Sequence, residues 1–110
     1  MQYLASPYSH PDPAVREARF RAACRAAALL MRRGEAVFSP IAHSHCIATY
    51  GLPIHWRFWE PIDRWHIERC DGLIVLTLDG WRDSVGVQAE IRIAVERGKP
   101  VRYVAPDWLK

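Results

Sequence analysis

The 110-residue sequence predicts one α/β domain, a small parallel sheet of about four strands flanked by helices. Three observations predict it. Short apolar runs alternate with helical stretches along the chain, and the connections between them are short. The run Gly72–Leu76 is continuously apolar, as in a strand buried on both faces of a parallel sheet. Such alternation implies parallel strands joined by right-handed crossovers.

The elements follow in order. Tyr3-Leu4-Ala5 is a strand that stops at the turn-rich loop Ser6–Pro11. Asp12 is placed to cap a helix with Pro13 at its first position. Nothing breaks that helix from Ala14 to Arg33, with Val15, Ala18, Ala22, Leu29 and Leu30 as its buried stripe. Ala36–Phe38 is a second strand, ended by Ser39-Pro40. The stretch Ile41–Trp59 has no clear period and accommodates a short helix. Glu60-Pro61 opens a clearer helix to about Arg69. After Gly72–Leu76 and the loop Asp79–Asp83, a helix runs from Ser84 to Arg97, with Val87, Ile91, Ala94 and Val95 toward the sheet. Gly98-Lys99-Pro100 ends it, and Val101–Val104 is the last strand. The whole, residues 1–110, reads as one doubly wound, Rossmann-like domain.

Composition narrows the function classes. Half the residues are hydrophobic and a quarter charged, which argues for a packed core rather than a disordered chain. The net charge of +3 comes largely from arginines (Arg16, Arg19, Arg21, Arg25, Arg32, Arg33) scattered along one helix, and these read as a solvated face rather than a nucleic-acid stripe. The three cysteines lack CxxC spacing, so a reducing, cytoplasmic setting is expected without a disulfide framework. No run approaches the roughly 18–20 apolar residues of a membrane span, and the N-terminus lacks the pattern of a signal peptide.

In an open parallel sheet, ligands bind outside the carboxyl ends of the strands. That rule selects Ser6-Pro7-Tyr8, Ser39–His45, Asp79–Ser84 and Ala105–Trp108, together with the helix starts at Ile62-Asp63 and Ser84–Glu90. Asp71 falls on the opposite edge, where a cap or turn role is expected. Ser84 is placed as an N-cap, which leaves the amides of Val85, Gly86 and Val87 for an anion. Gly86 and Glu90 share one helix face, the glycine admitting a ligand to the backbone and the carboxylate one turn deeper. A carboxylate on the sheet side is costly to bury without a purpose. Pattern alone leaves Glu90 evenly placed between that role and an ion pair with Arg82, Arg92 or Arg97.

Three segments in register, Tyr3-Leu4-Ala5-Ser6-Pro7-Tyr8, then Asp63 with Cys70-Asp71-Gly72-Leu73-Ile74-Val75, then Ser84–Ile91 with Ala94 and Gly98-Lys99-Pro100-Val101, resemble the nucleoside 2-deoxyribosyltransferase superfamily. The likeness is greatest to a short phage and bacterial branch described only as a domain of unknown function. The resemblance implies that Glu90 is a nucleophile forming a glycosyl ester, that Asp63 handles the base as proton donor, and that Tyr3 orients the nucleophile. Ser84 stands where transferases carry an aspartate for the sugar hydroxyls, with Asp83 one residue away. The pattern S-x-G-x-x-x-E resembles instead the nucleoside 5′-monophosphate N-glycosidases, whose serine and glycine hold the phosphate. The expected function is therefore an N-glycosidase acting on a nucleotide. The alternatives are base exchange between deoxynucleosides and a non-catalytic nucleotide sensor.

His43 and His45 match a region where related hydrolases carry a histidine near substrate, and one of them is expected to touch it. His43, His45, Cys46 and His55 fit no standard zinc spacing, so no metal or other cofactor is expected. Tyr8, Trp56 and Trp81 are candidates to stack on a base, although packing roles are commoner. Cys70 reads as core. The resemblance also implies a homodimer or larger assembly, with Trp108 packing into a neighbouring subunit.

Overall fold

The computed structural model describes residues 1–109, and the side chains of residues 1–107. Its strands are β1 (Gln2–Ala5), β2 (Val37–Phe38), β3 (Gly72–Leu76) and β4 (Val101–Val104). They form one all-parallel sheet in the order β2-β1-β3-β4. The helices are α1 (Pro13–Arg32), α2 (Pro40–Ala48), α3 (Trp56–Arg69) and α4 (Val85–Glu96), with short 3-10 turns at Trp81–Asp83 and Pro106–Leu109.

Strand residues alternate between two layers. Tyr3, Ala5, Leu73 and Val75 pack with Ile67 of α3 and with Val87, Ile93 and Ala94 of α4. Leu4, Ile74 and Leu76 pack with Ala26, Ala27 and Leu30 of α1 on the other face. Every residue of β3 is buried, as its unbroken apolar run requires. Truncating Ile74 to alanine in this core costs about 2–5 kcal/mol. The register matters for the site: a slip of one residue would turn Tyr3 away from α4 and toward α1.

The chain leaves β1 through α1 to β2 on one side, then crosses to β3 on the other. The sheet order therefore reverses at β1, and a crevice opens beyond its carboxyl end. Both flanking helices that start there are capped by serine. The Ser39 hydroxyl accepts from the Ala42 amide at 3.0 Å, and the Ser84 hydroxyl accepts from the Val87 amide at 3.2 Å. Asp12 caps α1 as expected, accepting from the Ala14 amide at 2.9 Å.

The sequence expectation fails in the middle of the chain. α3 begins at Trp56 and not at Glu60, with His55 as its N-cap and Pro61 in its second turn. Pro61 lacks an N–H, so it forfeits one bond to the Arg57 carbonyl, but its exposed ring is accommodated near the helix start. The buried stripes also shift. In α1, Ala23, Ala26 and Ala27 join Ala22 and Leu30, whereas Ala18 is exposed and Val15 and Leu29 are half-buried. In α4, Ile91 packs partly buried against the core as expected, whereas Ile93 takes the inward place expected of Val95, which is 64% exposed.

The arginines of α1 are not all a solvated face. Arg16 donates to the His10 carbonyl, and Arg19 donates to the Ser9 carbonyl at 3.0 Å and the Asp79 carbonyl at 3.3 Å. They brace the loop after β1. At the opposite edge, Asp71 pairs with the N-terminal ammonium of Met1 and so ties the chain start to the sheet, in place of the expected cap. Cys70 is buried, as expected, and Cys24, Cys46 and Cys70 are all free thiols. No helix among the described residues is long and apolar enough to cross a membrane. The expected packing of Trp108 lies outside the described side chains.

Candidate active site

The crevice at the end of β1 is a cavity of about 590 Å³. Its walls come from the loop after β1 (Ser6, Tyr8, Ser9), one face of α2 (Pro40, Ile41, Ser44, His45, Ala48), the start of α3, and the start of α4. Because α2 follows edge strand β2 while α4 follows β3, these two walls stand on opposite sides of β1. The α4 end is polar, with Asp83, Ser84 and the first-turn backbone. The α2 wall is mixed, with the apolar Pro40, Ile41 and Ala48 beside Ser44 and His45, and Ile54 and Trp59 add further apolar surface to the cavity. Glu90 and Asp63 line the space between as its buried carboxyl groups.

Tyr3 holds the floor. Its ring is fully buried under the sheet layer of α3 and α4, and its hydroxyl donates to Glu90 Oε2. Glu90 is only 4% exposed. Burial pushes its carboxyl well above the usual range, the nearby Asp63 adds to this, and the Tyr3 hydrogen bond opposes both. Burial likewise raises Asp63 to about 7, with the Tyr3 hydroxyl opposing. Ile67 is buried one turn along from Asp63, whereas the adjacent Ile62 is 40% exposed. Tyr3 itself is held far above its ordinary value by burial and by both carboxyl groups, so it remains a neutral donor. The site thus holds two carboxyl groups, both biased toward the neutral form, beside a fixed phenol.

At the α4 end, Val87's amide is spent on the Ser84 hydroxyl. The expected anion cradle is therefore smaller than the sequence suggested, consisting of the Val85 and Gly86 amides, which have no intrahelical acceptor. Gly86 keeps the backbone open: a Cβ there would lie 3.4 Å from Trp56, filling ligand space without a clash. Ser6 also lines the cavity, and its hydroxyl oxygen is buried with no hydrogen-bond partner among the described residues. A buried orphan hydroxyl costs about 1–3 kcal/mol, which a ligand contact would recover.

Other expectations divide. His45 lines the cavity, but His43 does not: it is exposed and packs beside Phe38 and His66. Two residues apart on a helix, they point in different directions, so only one faces the ligand space. Pro7 is fully buried behind the wall rather than on it. Asp83 lines the cavity beside Ser84, and Trp56 forms part of the wall. Trp81 instead packs on the core beside Tyr103. No described residue after β4 reaches the cavity. Among the described residues, no three His, Cys, Asp or Glu side chains are gathered to hold a metal ion.

The reading from sequence missed Ile54, His55, Arg57 and Trp59 as wall residues. Their signal lay in the early start of α3, which Pro61 concealed.

A family profile described as a domain of unknown function, DUF1937, matches residues 1–105. The chain belongs to this family. The DUF1937 match takes in all four strands and every residue that lines the cavity. No curated protein matches the chain.

Proposed function

We propose that this DUF1937 domain cleaves the N-glycosidic bond of a nucleoside or deoxynucleoside 5′-monophosphate through a covalent glycosyl-Glu90 intermediate. The observation that carries this reading is Glu90 itself, a buried carboxylate tied to Tyr3 and facing Asp63 at the floor of a cavity that begins at a helix N-terminus. The resemblance of Tyr3, Asp63 and the Ser84-Gly86-Glu90 spacing to nucleotide N-glycosidases supports the same assignment.

The chemistry follows from the two carboxyl groups. With the phosphate at the Val85 and Gly86 amides and the Ser84 hydroxyl, Glu90 attacks the anomeric carbon as the C–N bond breaks. The electron pair leaves on the base nitrogen, which takes the proton held by Asp63. Water then attacks the anomeric carbon, the ester to Glu90 breaks, and Asp63 recovers a proton from that water. Asp63 must start protonated and Glu90 ionised. Burial is the main influence that favours neutral Glu90; a protonated Asp63 withdraws the second one, and the Tyr3 hydrogen bond and the cation developing at the anomeric carbon must offset the first.

Incubation with a panel of ribo- and deoxynucleotides is expected to release free base from the wild type and none from Glu90→Gln. Base release that survives in this variant would remove Glu90 from the mechanism. A second reading rests on Asp83, which lines the cavity beside Ser84 and could hold sugar hydroxyls. It makes the domain a deoxyribosyltransferase, for which supplying a second base would yield a new nucleoside. A non-catalytic sensor would bind nucleotide equally well before and after Glu90→Gln, with no turnover. The reading carries with it a cytoplasmic setting and a homodimer or larger assembly, which light scattering on the purified protein tests.

A further inference from the structure

On the wall opposite the α4 end, Tyr8, His45 and Glu17 form a chain of hydrogen bonds. Tyr8 Oη lies 2.8 Å from His45 Nδ1, and His45 Nε2 lies 2.8 Å from Glu17 Oε2. Phe20 stacks on the imidazole with ring centroids 4.1 Å apart, which fixes the ring plane. The connection from the phenol to the acid spans three elements: the loop after β1, α2 and α1.

The tautomer follows from the partners. Glu17 is a carboxylate, kept ionised by His45 and by Arg21 at 3.2 Å, and therefore only accepts. In the neutral imidazole it holds the proton on Nε2, which leaves Nδ1 as a bare lone pair. Tyr8 must then give its own proton to Nδ1. Arg16, beside the phenol, acts in the same sense, because a guanidinium only donates. With its proton turned to His45, the Tyr8 oxygen keeps its lone pairs to accept with, and Tyr8 lines the cavity.

Two neighbouring polar groups are otherwise engaged. Trp59 Nε1 donates to the Pro53 carbonyl at 2.8 Å, and the Ser44 hydroxyl bonds His43 Nδ1 at 3.2 Å. A nucleotide whose phosphate sits at α4 and whose anomeric carbon faces Glu90 extends its base toward α2.

We propose that Tyr8, locked as an acceptor by His45 and Glu17, selects nucleotides whose base carries an exocyclic amino group. This inference rests on the nucleotide reading of the cavity. An amino group directs a hydrogen at the Tyr8 lone pair, whereas the oxo group of the matched base directs lone pairs at lone pairs. Tyr8 is the specificity-determining residue, and His45 and Glu17 are positioning residues that act through it.

Calorimetric titration of Glu90→Gln protein with CMP against UMP, and AMP against IMP, tests the proposal, because no turnover intervenes. Tighter binding of the amino member by about 10-fold or more is expected in each pair, with Tyr8→Phe bringing the members together. Equal affinity, or preference for the oxo member, overturns it. Nitrogen NMR of His45 gives a second measure in unmodified protein: the proton is expected on Nε2, and finding it on Nδ1 also overturns it. Amino preference without base release from wild type would sink the glycosidase reading and leave this one standing. Base release without amino preference would do the reverse, and absence of all nucleotide binding would sink both.

Discussion

Glu90 and Asp71 are carboxyl groups at opposite edges of the same sheet, and the protein treats them in opposite ways. Asp71 is exposed and paired with the N-terminal ammonium, which holds it below the usual carboxylate range. Glu90 is buried, is raised by its surroundings, and has a second carboxyl for a neighbour. The Asp71 arrangement is what stability alone selects at a surface. The Glu90 arrangement opposes stability, since a buried carboxyl held next to another resists ionisation. The difference teaches where the fold sacrifices stability for chemistry, and it does so at the carboxyl edge.

The largest effect expected to sharpen this contrast comes from Glu90→Gln. Base release should fall on the order of 10⁴-fold or more, as when a nucleophile is removed elsewhere. Glutamine keeps the Tyr3 hydrogen bond and carries no charge, so the melting temperature at pH 8 should rise. Asp71→Asn should leave turnover close to wild type. A fall in turnover for Asp71→Asn as large as that for Glu90→Gln would erase the distinction between the two edges.

Next comes Asp63. Its folded value of about 7 lies above the ordinary 3.8, so between these values the unfolded chain releases a proton that the folded one retains. Stability is therefore full below about pH 4 and declines as pH rises to 7, by on the order of 4 kcal/mol if the whole shift is realised. Glu90 contributes in the same direction. Asp63→Asn should flatten this decline in urea melts recorded across that range. It should also slow base release by about 100-fold or more and remove the loss of rate expected of wild type above pH 7. An unchanged alkaline limb would separate Asp63 from proton donation.

Tyr3→Phe is expected to have a smaller effect. Loss of its hydroxyl removes the one influence that favours ionised Glu90, so the acid limb of the pH–rate profile should move upward. A stability loss of about 1–3 kcal/mol should accompany it, because a buried carboxyl loses its partner. Gly86→Ala should do least to the fold. Its Cβ would meet Trp56 at an ordinary distance, and alanine favours the helix by up to about 1 kcal/mol. Its effect should appear as weaker nucleotide binding, measured by titration, with the melting temperature unchanged or raised.

Much of this was legible in the residues. β3 and β4 were read to the residue, because Gly72–Leu76 is unbroken and Gly98-Lys99-Pro100 marks the start of β4. Ser84 as the cap of α4, and Glu90 one turn below Gly86, followed from helix spacing. The stretch from Ile41 to Trp59 yielded only a short helix without bounds, which is α2. Histidine is an unusual cap, Pro61 suggested a helix start where there is an interior, and Gly51 and Pro53 broke the period. Without the bounds and facing of α2, His43 and His45 could not be told apart, although only one direction meets the cavity. The Tyr8–His45–Glu17 chain was hidden for a different reason: its members are brought together by tertiary contacts across 28 and 37 positions, which no local pattern records.

Tyr3 and Glu90 are hydrogen-bonded across 87 positions of sequence. That separation governs when the site comes into being. Loop closure over most of the chain must precede the contact, so it belongs among the late events of folding. During synthesis, a nascent chain that has exposed β1, α1 and β2 holds the phenol but not the acid it orients. No such intermediate can bind its ligand as the finished domain does. Nucleotide added during refolding should therefore leave the folding rate unchanged and slow only unfolding.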